Sequence, residues 1–351
     1  MSGYPLSWTR VTALTVLLIP ISWLYRIVAA ARRALYTIGI LRGIRLPVPV
    51  IIVGNISVGG TGKTPLVLWL VERLRAAGFM PGIVSRGYIP SGAMSGARAG
   101  SREPRAVGVK DDAALCGDEP VLLARRSACP VWIGADRVAV ARALLAAHPQ
   151  CNVIVSDDGL QHYRLARDAE IAVVDGARGH GNGLLLPAGP LREPPSRLHG
   201  VDAVVIRGNG DDTPPDYARV LDAPRFTMSM IPGPFYRLCD PRHTEDASAF
   251  RGQRVHAAAG IGNPEHFFTT LKALGLAFTP HTFPDHHPYT RGDLDFSACD
   301  AVVMTEKDAV KYEQYAVTAP EKYWALGVVA QVESGLAPLL IKRLHERQKS
   351  R

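Results

Sequence analysis

Short apolar runs that close on a glycine or a carboxylate recur along this chain, and segments of helical spacing separate them. Val50-Ile51-Ile52-Val53 leads into Gly54. Pro130-Val131-Trp132-Ile133 leads into Gly134, and Val153-Ile154-Val155-Ser156 into Asp157 and Asp158. Ile171-Ala172-Val173-Val174 leads into Asp175. Unbroken apolar runs of this length suit strands buried on both faces. Between them, residues 66–77 read as a helix stopping at Gly78, 121–126 as a helix opened by Gly117-Asp118-Glu119-Pro120, and 136–147 as a third. Strands alternating with helices, with polar residues at strand C-termini, predict a parallel α/β sheet that carries its ligands along that edge.

The second half is built less regularly. Residues 201–206 read as a strand and 208–216 as a turn-rich loop at a domain boundary. Residues 226–230 and 235–238 read as short strands on either side of a Pro232-Gly233-Pro234 turn. Residues 254–264 and 265–274 give strand, glycine loop and helix, but Gly260-Ile261-Gly262 lacks the third glycine of a dinucleotide fingerprint. Residues 300–311 predict a strand and then a helix capped by Thr305, with Asp308 three positions on. Lys307 adds charge to a cleft there. Residues 323–332 predict a strand and 336–348 a closing helix. Residues 89–105 and 178–195 are rich in Gly, Pro or Ser and predict loops; long loops inside an α/β domain often carry function.

The first apolar run has chemistry attached. Val50 to Thr64 reads strand, glycine-rich turn, then Lys-Thr at a helix start. The backbone N–H groups of Ser57, Val58, Gly59, Gly60, Thr61 and Gly62 can close around phosphates. Lys63 can reach the β/γ-phosphates and the Thr64 hydroxyl a Mg²⁺ ion. The helix N-terminus adds partial positive charge. In the full phosphate-loop pattern the first glycine falls at Ser57. The tighter Gly-Gly-x-Gly-Lys-Thr form is complete and resembles the ParA/MinD-like variant loop, except that Val58 stands where that class has lysine. A strand ending in Asp157 and Asp158 beside such a loop is where these folds hold Mg²⁺. Asp118 and Glu119 satisfy helix capping and can also face the phosphate site. Arg178, His180, Asn182, Arg192 and Glu193 are the polar candidates of the 178–195 loop. His162 follows the acidic strand end closely. The Phe283–Tyr289 loop offers His286 and His287, for which no partner spacing supports zinc.

The N-terminus changes the picture of where the protein works. Residues 11–25 carry no formal charge, and arginines 26, 32, 33, 42 and 45 follow. A secretory signal, a membrane span, a membrane-surface helix and a buried core helix all fit some of this. Fifteen residues fall short of the ~20 needed to span, and Pro20 interrupts them. Trp8, Trp23, Tyr25 and Tyr36 suit an interface, and the arginines suit anionic headgroups. The expectation is membrane attachment from the cytoplasmic side.

At 351 residues there is room for two cores, and the net charge of +8 favours anionic partners. Five cysteines without a CxxC pair argue against a disulfide framework or zinc site and for a reducing compartment.

As a set, Gly54 to Pro65, Ser85-Arg86-Gly87-Tyr88, Gly117-Asp118-Glu119-Pro120, Ser156-Asp157-Asp158-Gly159-Leu160-Gln161-His162, Asp175 to Pro194, Ala259 to Pro264, Phe283 to His287 and Met304 to Lys311 resemble the tetraacyldisaccharide 4'-kinases, the lipid A kinases of Gram-negative bacteria. The resemblance spans nearly the whole chain, and in it Ser57 is the family's own loop residue. It implies ATP with Mg²⁺ as cofactors, phosphoryl transfer to the 4'-hydroxyl of an acylated glucosamine disaccharide 1-phosphate, and work at the cytoplasmic face of the bacterial inner membrane without nucleic acid. The fold implied is a P-loop NTPase-type, mostly parallel sheet (46–205) with a second, smaller α/β domain (206–351), behind an N-terminal membrane-associating helix (1–45). By resemblance, Asp118 is the base, His286 its partner, and Lys63 the third catalytic residue. Thr64, Asp157, Asp158 and Glu119 serve the metal. Arg192, Glu193, Asn182 and His162 serve the substrate. The rival reading is a ParA/MinD-like membrane-associated ATPase.

Overall fold

The computed structural model of the protein describes residues 6–87, 103–208 and 222–349. Tyr88, nearly all of the 89–105 loop and most of the 208–216 boundary segment lie outside the described residues. The strands are β1 Val50–Gly54, β2 Pro81–Ser85, β3 Arg105–Val107, β4 Val131–Ile133, β5 Val153–Asp157, β6 Ala169–Asp175 and β7 Ala203–Arg207. They continue with β8 Arg225–Arg237, β9 Thr244–Glu245, β10 Val255–Ala259, β11 Thr279–Thr282, β12 Ala301–Thr305 and β13 Tyr323–Val332. All join one 13-stranded sheet in the order β11-β10-β12-β13-β8-β7-β6-β1-β5-β2-β4-β3, with β9 paired to β8.

Within each half the pairing is mainly parallel. β1 lies between β5 and β6, and β12 between β10 and β13. The halves meet where β8 pairs antiparallel with β13. Alternation along β1 explains why every residue of its run is apolar. Ile51 and Val53 pack with Leu66, Leu70 and Leu74 of the Lys63–Ala76 helix. Val50 and Ile52 pack with Val138, Ala141 and Leu144 of the Arg137–Ala147 helix on the other face. Each such side chain stabilises the sheet by about 1.5–3 kcal/mol. The second half has its own two clusters, around Phe267, Phe268 and Leu271 and around Met304 and Tyr312. Val205 and Ile206, on either side of the expected domain boundary, both lie within β7.

Two expectations are corrected. Residues 226–238 do not form two strands around a Pro-Gly-Pro turn; β8 runs unbroken through Pro232-Gly233-Pro234. The register opposite shifts between Leu326 and Val328, and Val328 N donates to Glu306 Oε2 at 3.1 Å. That bulge spares the ladder the N–H groups that the prolines lack. Pro20 does not interrupt the N-terminal segment: one 25-residue helix, Ala13–Thr37, continues through it, capped by Thr12. Only Thr15 and Ser22 of this helix are buried, so it is not a core helix.

Candidate active site

The loop after β1 takes its shape from two glycines. A Cβ on Gly54 would lie 2.7 Å from the Leu160 Cβ. Gly62 has φ +93°, and a Cβ there would also lie 2.7 Å from the Met230 Cε, so only glycine fits. The loop is held from behind by the 178–195 segment, with Val58 N donating to Pro190 O at 2.9 Å and Arg192 N to Ile56 O at 2.6 Å. Gln161 Nε2 donates to Asn55 O at 3.0 Å, and Asn55 Nδ2 to Thr61 Oγ1 at 3.3 Å. Lys63 opens the Lys63–Ala76 helix, with its Nζ 3.4 Å from both Asn55 Oδ1 and Asp158 Oδ1. A cavity of about 240 Å³ opens above Gly60 to Thr64, walled across the cleft by Met230, Phe267 and Lys307. A larger cavity of about 570 Å³ lies behind the Asp118–Ser127 helix, between the Arg125–Glu313 and Arg126–Glu306 ion pairs. It holds no phosphate-loop residue, and the chemistry belongs to the smaller one.

The acidic strand end divides into two roles. Asp157, 1 % exposed, accepts from Ser85 Oγ at 3.2 Å through Oδ2, while its Oδ1 has no hydrogen-bond partner. Burial first, then the nearby Glu119 charge, pushes its carboxyl up to about 7, against the pull of Lys63. Asp158 has φ +49° and accepts from Arg192 Nη1 at 2.9 Å. Despite burial, Lys63 and Arg192 hold it well below the usual carboxylate range. An orphaned, buried carboxylate oxygen with the Thr64 hydroxyl and Glu119 nearby is an all-oxygen donor set, which fits Mg²⁺. Asp158 already sits between two side-chain cations. Among the described residues no group of three or more His, Cys, Asp or Glu converges to hold a metal alone. A Mg²⁺ ion there would draw its other ligands from phosphates and water.

Asp118 lies in the first turn of the Asp118–Ser127 helix, and its Oδ2 meets His286 Nδ1 at 3.0 Å. Burial pushes the Asp118 carboxyl up, but the His286 bond and the Lys307 charge outweigh it and hold it at about 2. The same bond raises the His286 imidazole above its ordinary value, against burial and Lys307. His286 has φ +60°, a strained conformation for a side chain of this kind, and its own N–H donates to Asp285 Oδ1 at 3.1 Å. His287 turns the other way, to Asp293 at 3.3 Å. Lys307 lies 3.3 Å from Asp285 Oδ1 and 3.4 Å from Glu119 Oε1.

The four residues expected at the substrate do not come together. Arg192 stands against Asp158. Glu193, 5 % exposed, accepts from Gln161 Nε2 at 3.0 Å and from the Tyr163 hydroxyl, so its carboxylate is used up inside the fold. Asn182 closes its own loop, bonding Ala188 O at 2.8 Å and Leu184 N at 3.0 Å. His162 lines a separate cavity of about 420 Å³ with Arg32, Tyr36, Arg137 and Arg164. Burial and then Arg137 lower its imidazole to about 4. The sequence reading missed Asn55, although it is the one polar residue between strand and glycine loop. It also missed Arg207, which lines the phosphate cavity and pairs with Asp175 at 3.3 Å.

The model of the family described as "Tetraacyldisaccharide-1-P 4'-kinase" matches residues 14–345. The tetraacyldisaccharide 4'-kinase of Azoarcus sp. (strain BH72) is 51 % identical over 344 residues, covering 98 % of this chain and 96 % of that protein. The protein of the same name from Aromatoleum aromaticum is 52 % identical over 343 residues, covering 97 % and 96 %. The crystal structure of LpxK from Aquifex aeolicus in complex with ATP superposes with a TM-score of 0.77 at 29 % identity, covering 94 % of this chain and 99 % of that one.

Proposed function

The chain belongs to the tetraacyldisaccharide-1-P 4'-kinase family, and from that premise we propose how its residues move the ATP γ-phosphate to the 4'-hydroxyl of tetraacyldisaccharide 1-phosphate. The product is lipid IVA, in lipid A biosynthesis. The observation that carries the mechanism is the Asp118–His286 bond at 3.0 Å, next in the chain to Glu119, which lines the phosphate cavity with a loop whose Lys63 lies 3.4 Å from Asp158. The ParA/MinD-like ATPase reading is not favoured: the family match covers residues 14–345.

Phosphoryl transfer needs positioning and charge neutralisation more than covalent help. The Ser57–Thr64 backbone cradles the triphosphate and Lys63 neutralises its β/γ oxygens. Asp158 and Asn55 hold the Lys63 ammonium in place, and Arg192 steadies Asp158. Thr64, Asp157 and Glu119 would hold Mg²⁺, which would supply charge neutralisation at the triphosphate. Asp118 accepts the hydrogen bond of the incoming 4'-hydroxyl and aims its oxygen at phosphorus. A carboxylate held near 2 is a weak base, so it takes the proton late, once the attacking oxygen has become acidic. His286 keeps Asp118 from turning away. The two halves act as a P-loop unit and a smaller unit whose contact completes the site. Water attack on ATP is suppressed until they meet.

The substrate's own 1-phosphate suits the basic cavity of Arg32, Arg137, His162 and Arg164. Arg137 is 2 % exposed, and its Nε and Nη2 have no partner among the described residues. The neighbouring Ala13–Thr37 helix supports work at a membrane surface. Its one docked edge bonds the 178–195 loop, through Ser22 Oγ to Leu185 O at 2.8 Å and Tyr25 hydroxyl to Arg192 O at 3.1 Å. Leu17, Trp23, Leu24 and Ile27 face outward at more than 60 % exposure. A helix docked along one edge and apolar along the other fits insertion into one leaflet, the cytoplasmic one, where ATP is available.

Turnover in detergent micelles tests the reading. Transfer that depends on the lipid disaccharide supports it; equal ATP hydrolysis without lipid, and no phosphorylated lipid, favours the ATPase.

A further inference from the structure

Lysine in the first turn of a helix opposes the helix dipole, yet Lys307 occupies that place in the Glu306–Ala316 helix. A residue that breaks a local rule is expected where function requires it. The surroundings of Lys307 explain the exception. Its Nζ lies within 3.3–3.8 Å of three carboxylates from two other segments: Asp285 at 3.3 Å, Glu119 at 3.4 Å and Asp118 at 3.8 Å. The fourth neighbour is His286 Nε2, at 3.4 Å. Lys307 thus ties its own helix to the first turn of Asp118–Ser127 and to the loop that carries His286.

The contact with Nε2 carries information the other three do not. An ammonium group has only protons to give. A ring nitrogen facing it must accept, so Nε2 carries no proton. In a neutral imidazole the proton is then on Nδ1, and Nδ1 is the atom 3.0 Å from Asp118 Oδ2. The opposite tautomer would turn a lone pair toward the carboxylate and an N–H toward the ammonium, which is unfavourable at both ends. Asp285 Oδ1 accepts from the His286 backbone N–H at 3.1 Å and from Lys307 at 3.3 Å, and at 3.9 Å from Nε2 it is beyond hydrogen-bond reach of that ring nitrogen.

We propose that Lys307 is the positioning residue of the Asp118–His286 pair: by donating to His286 Nε2 it fixes the Nδ1–H tautomer, the one neutral form that can hold the Asp118 carboxylate. The proposal rests on the reading of Asp118 and His286 as the acceptor-activating pair. Lys307 also borders the phosphate cavity, but the role assigned to it is on His286. Its effect passes through the imidazole, so it should act on turnover rather than on binding.

The test is ring-nitrogen NMR of the full-length protein labelled with ¹⁵N-histidine, in detergent, at a pH well above the ordinary histidine range. The His286 signals are assigned by their loss in His286→Gln. Wild type should show a protonated Nδ1 and an unprotonated Nε2. Lys307→Met should lose that preference, and kcat should fall on the order of 10²-fold, with KM for ATP and lipid changed less than about threefold. Lys307→Arg, which keeps a cationic donor, should keep the tautomer and most of the lost rate. A wild-type His286 protonated at Nε2 overturns the proposal even if Lys307→Met does not fold. So does an unchanged tautomer in a folded Lys307→Met. Full transfer activity in Asp118→Ala or His286→Ala would instead overturn the underlying pair, whatever the tautomer.

Discussion

Asp118 and His286 are 168 positions apart in the chain, and their side chains meet at 3.0 Å. One opens the Asp118–Ser127 helix, the other lies in the loop after Thr279–Thr282. A contact of this kind makes chemistry depend on both segments being in place. Asp118→Ala and His286→Ala should each lower kcat for transfer by about 10²–10⁴-fold, with unchanged circular dichroism and ATP binding within a few-fold.

The same bond leaves a trace in stability. The Asp118 carboxyl is held at about 2 in the folded protein, below the ordinary aspartate value of 3.8. A depressed carboxylate contributes stability that is present above its unfolded value and lost as pH falls through the folded one. The share is about 2 kcal/mol, present above about pH 4 and fading toward pH 2. His286, shifted up, contributes in the opposite sense: its share is present at low pH and lost as pH rises through its elevated value. Urea unfolding should find Asp118→Asn less stable than wild type near pH 6, with the gap shrinking toward pH 3.

The two strand-end aspartates should separate in a metal titration. Asp157 has an orphaned oxygen, whereas Asp158 is held by Lys63 and Arg192. Asp157→Asn should raise the Mg²⁺ needed for half-maximal rate by about 10-fold or more. Asp158→Asn should lower kcat with a smaller change in Mg²⁺ demand, because it releases the Lys63 ammonium.

Glu193 separates packing from substrate contact. Its carboxylate is spent on Gln161 and Tyr163. Glu193→Ala should cost about 1–3 kcal/mol of stability through unpaired buried donors, seen as a lower Tm, while KM for the lipid in the folded fraction stays near wild type.

Much of this site was legible because local sequence dictates local geometry. Val50 to Thr64 is strand, loop and helix by its own pattern, and Thr305 caps its helix through its own side chain. Asp118 with His286 was accessible only by resemblance, since no local rule joins residues so distant. The intramolecular partners of Glu193 and Asn182 were not legible, because polarity in a glycine-rich loop does not say whether a side chain faces a ligand or the loop itself. The continuous β8 was missed because Pro-Gly-Pro punctuates a sequence strongly, and the compensating bulge, in which Gly233 and Pro234 stand opposite Gly327, exists only through the pairing with β13. The helix through Pro20 was missed for the same reason.

The N-terminal helix gives a prediction in vesicles. Replacing Leu17, Trp23, Leu24 and Ile27 with serine removes exposed apolar surface and no buried contact. The variant should partition away from anionic vesicles while its melting temperature stays within a few degrees.

The central claim is tested most directly by incubating wild-type protein with γ-labelled ATP, Mg²⁺ and tetraacyldisaccharide 1-phosphate in mixed micelles, and locating the label by mass spectrometry of the lipid. The label should be found as a new 4'-phosphate with wild type and be nearly absent with Asp118→Ala. Label released only as inorganic phosphate, or a 4'-phosphate formed equally well by Asp118→Ala, would contradict the account.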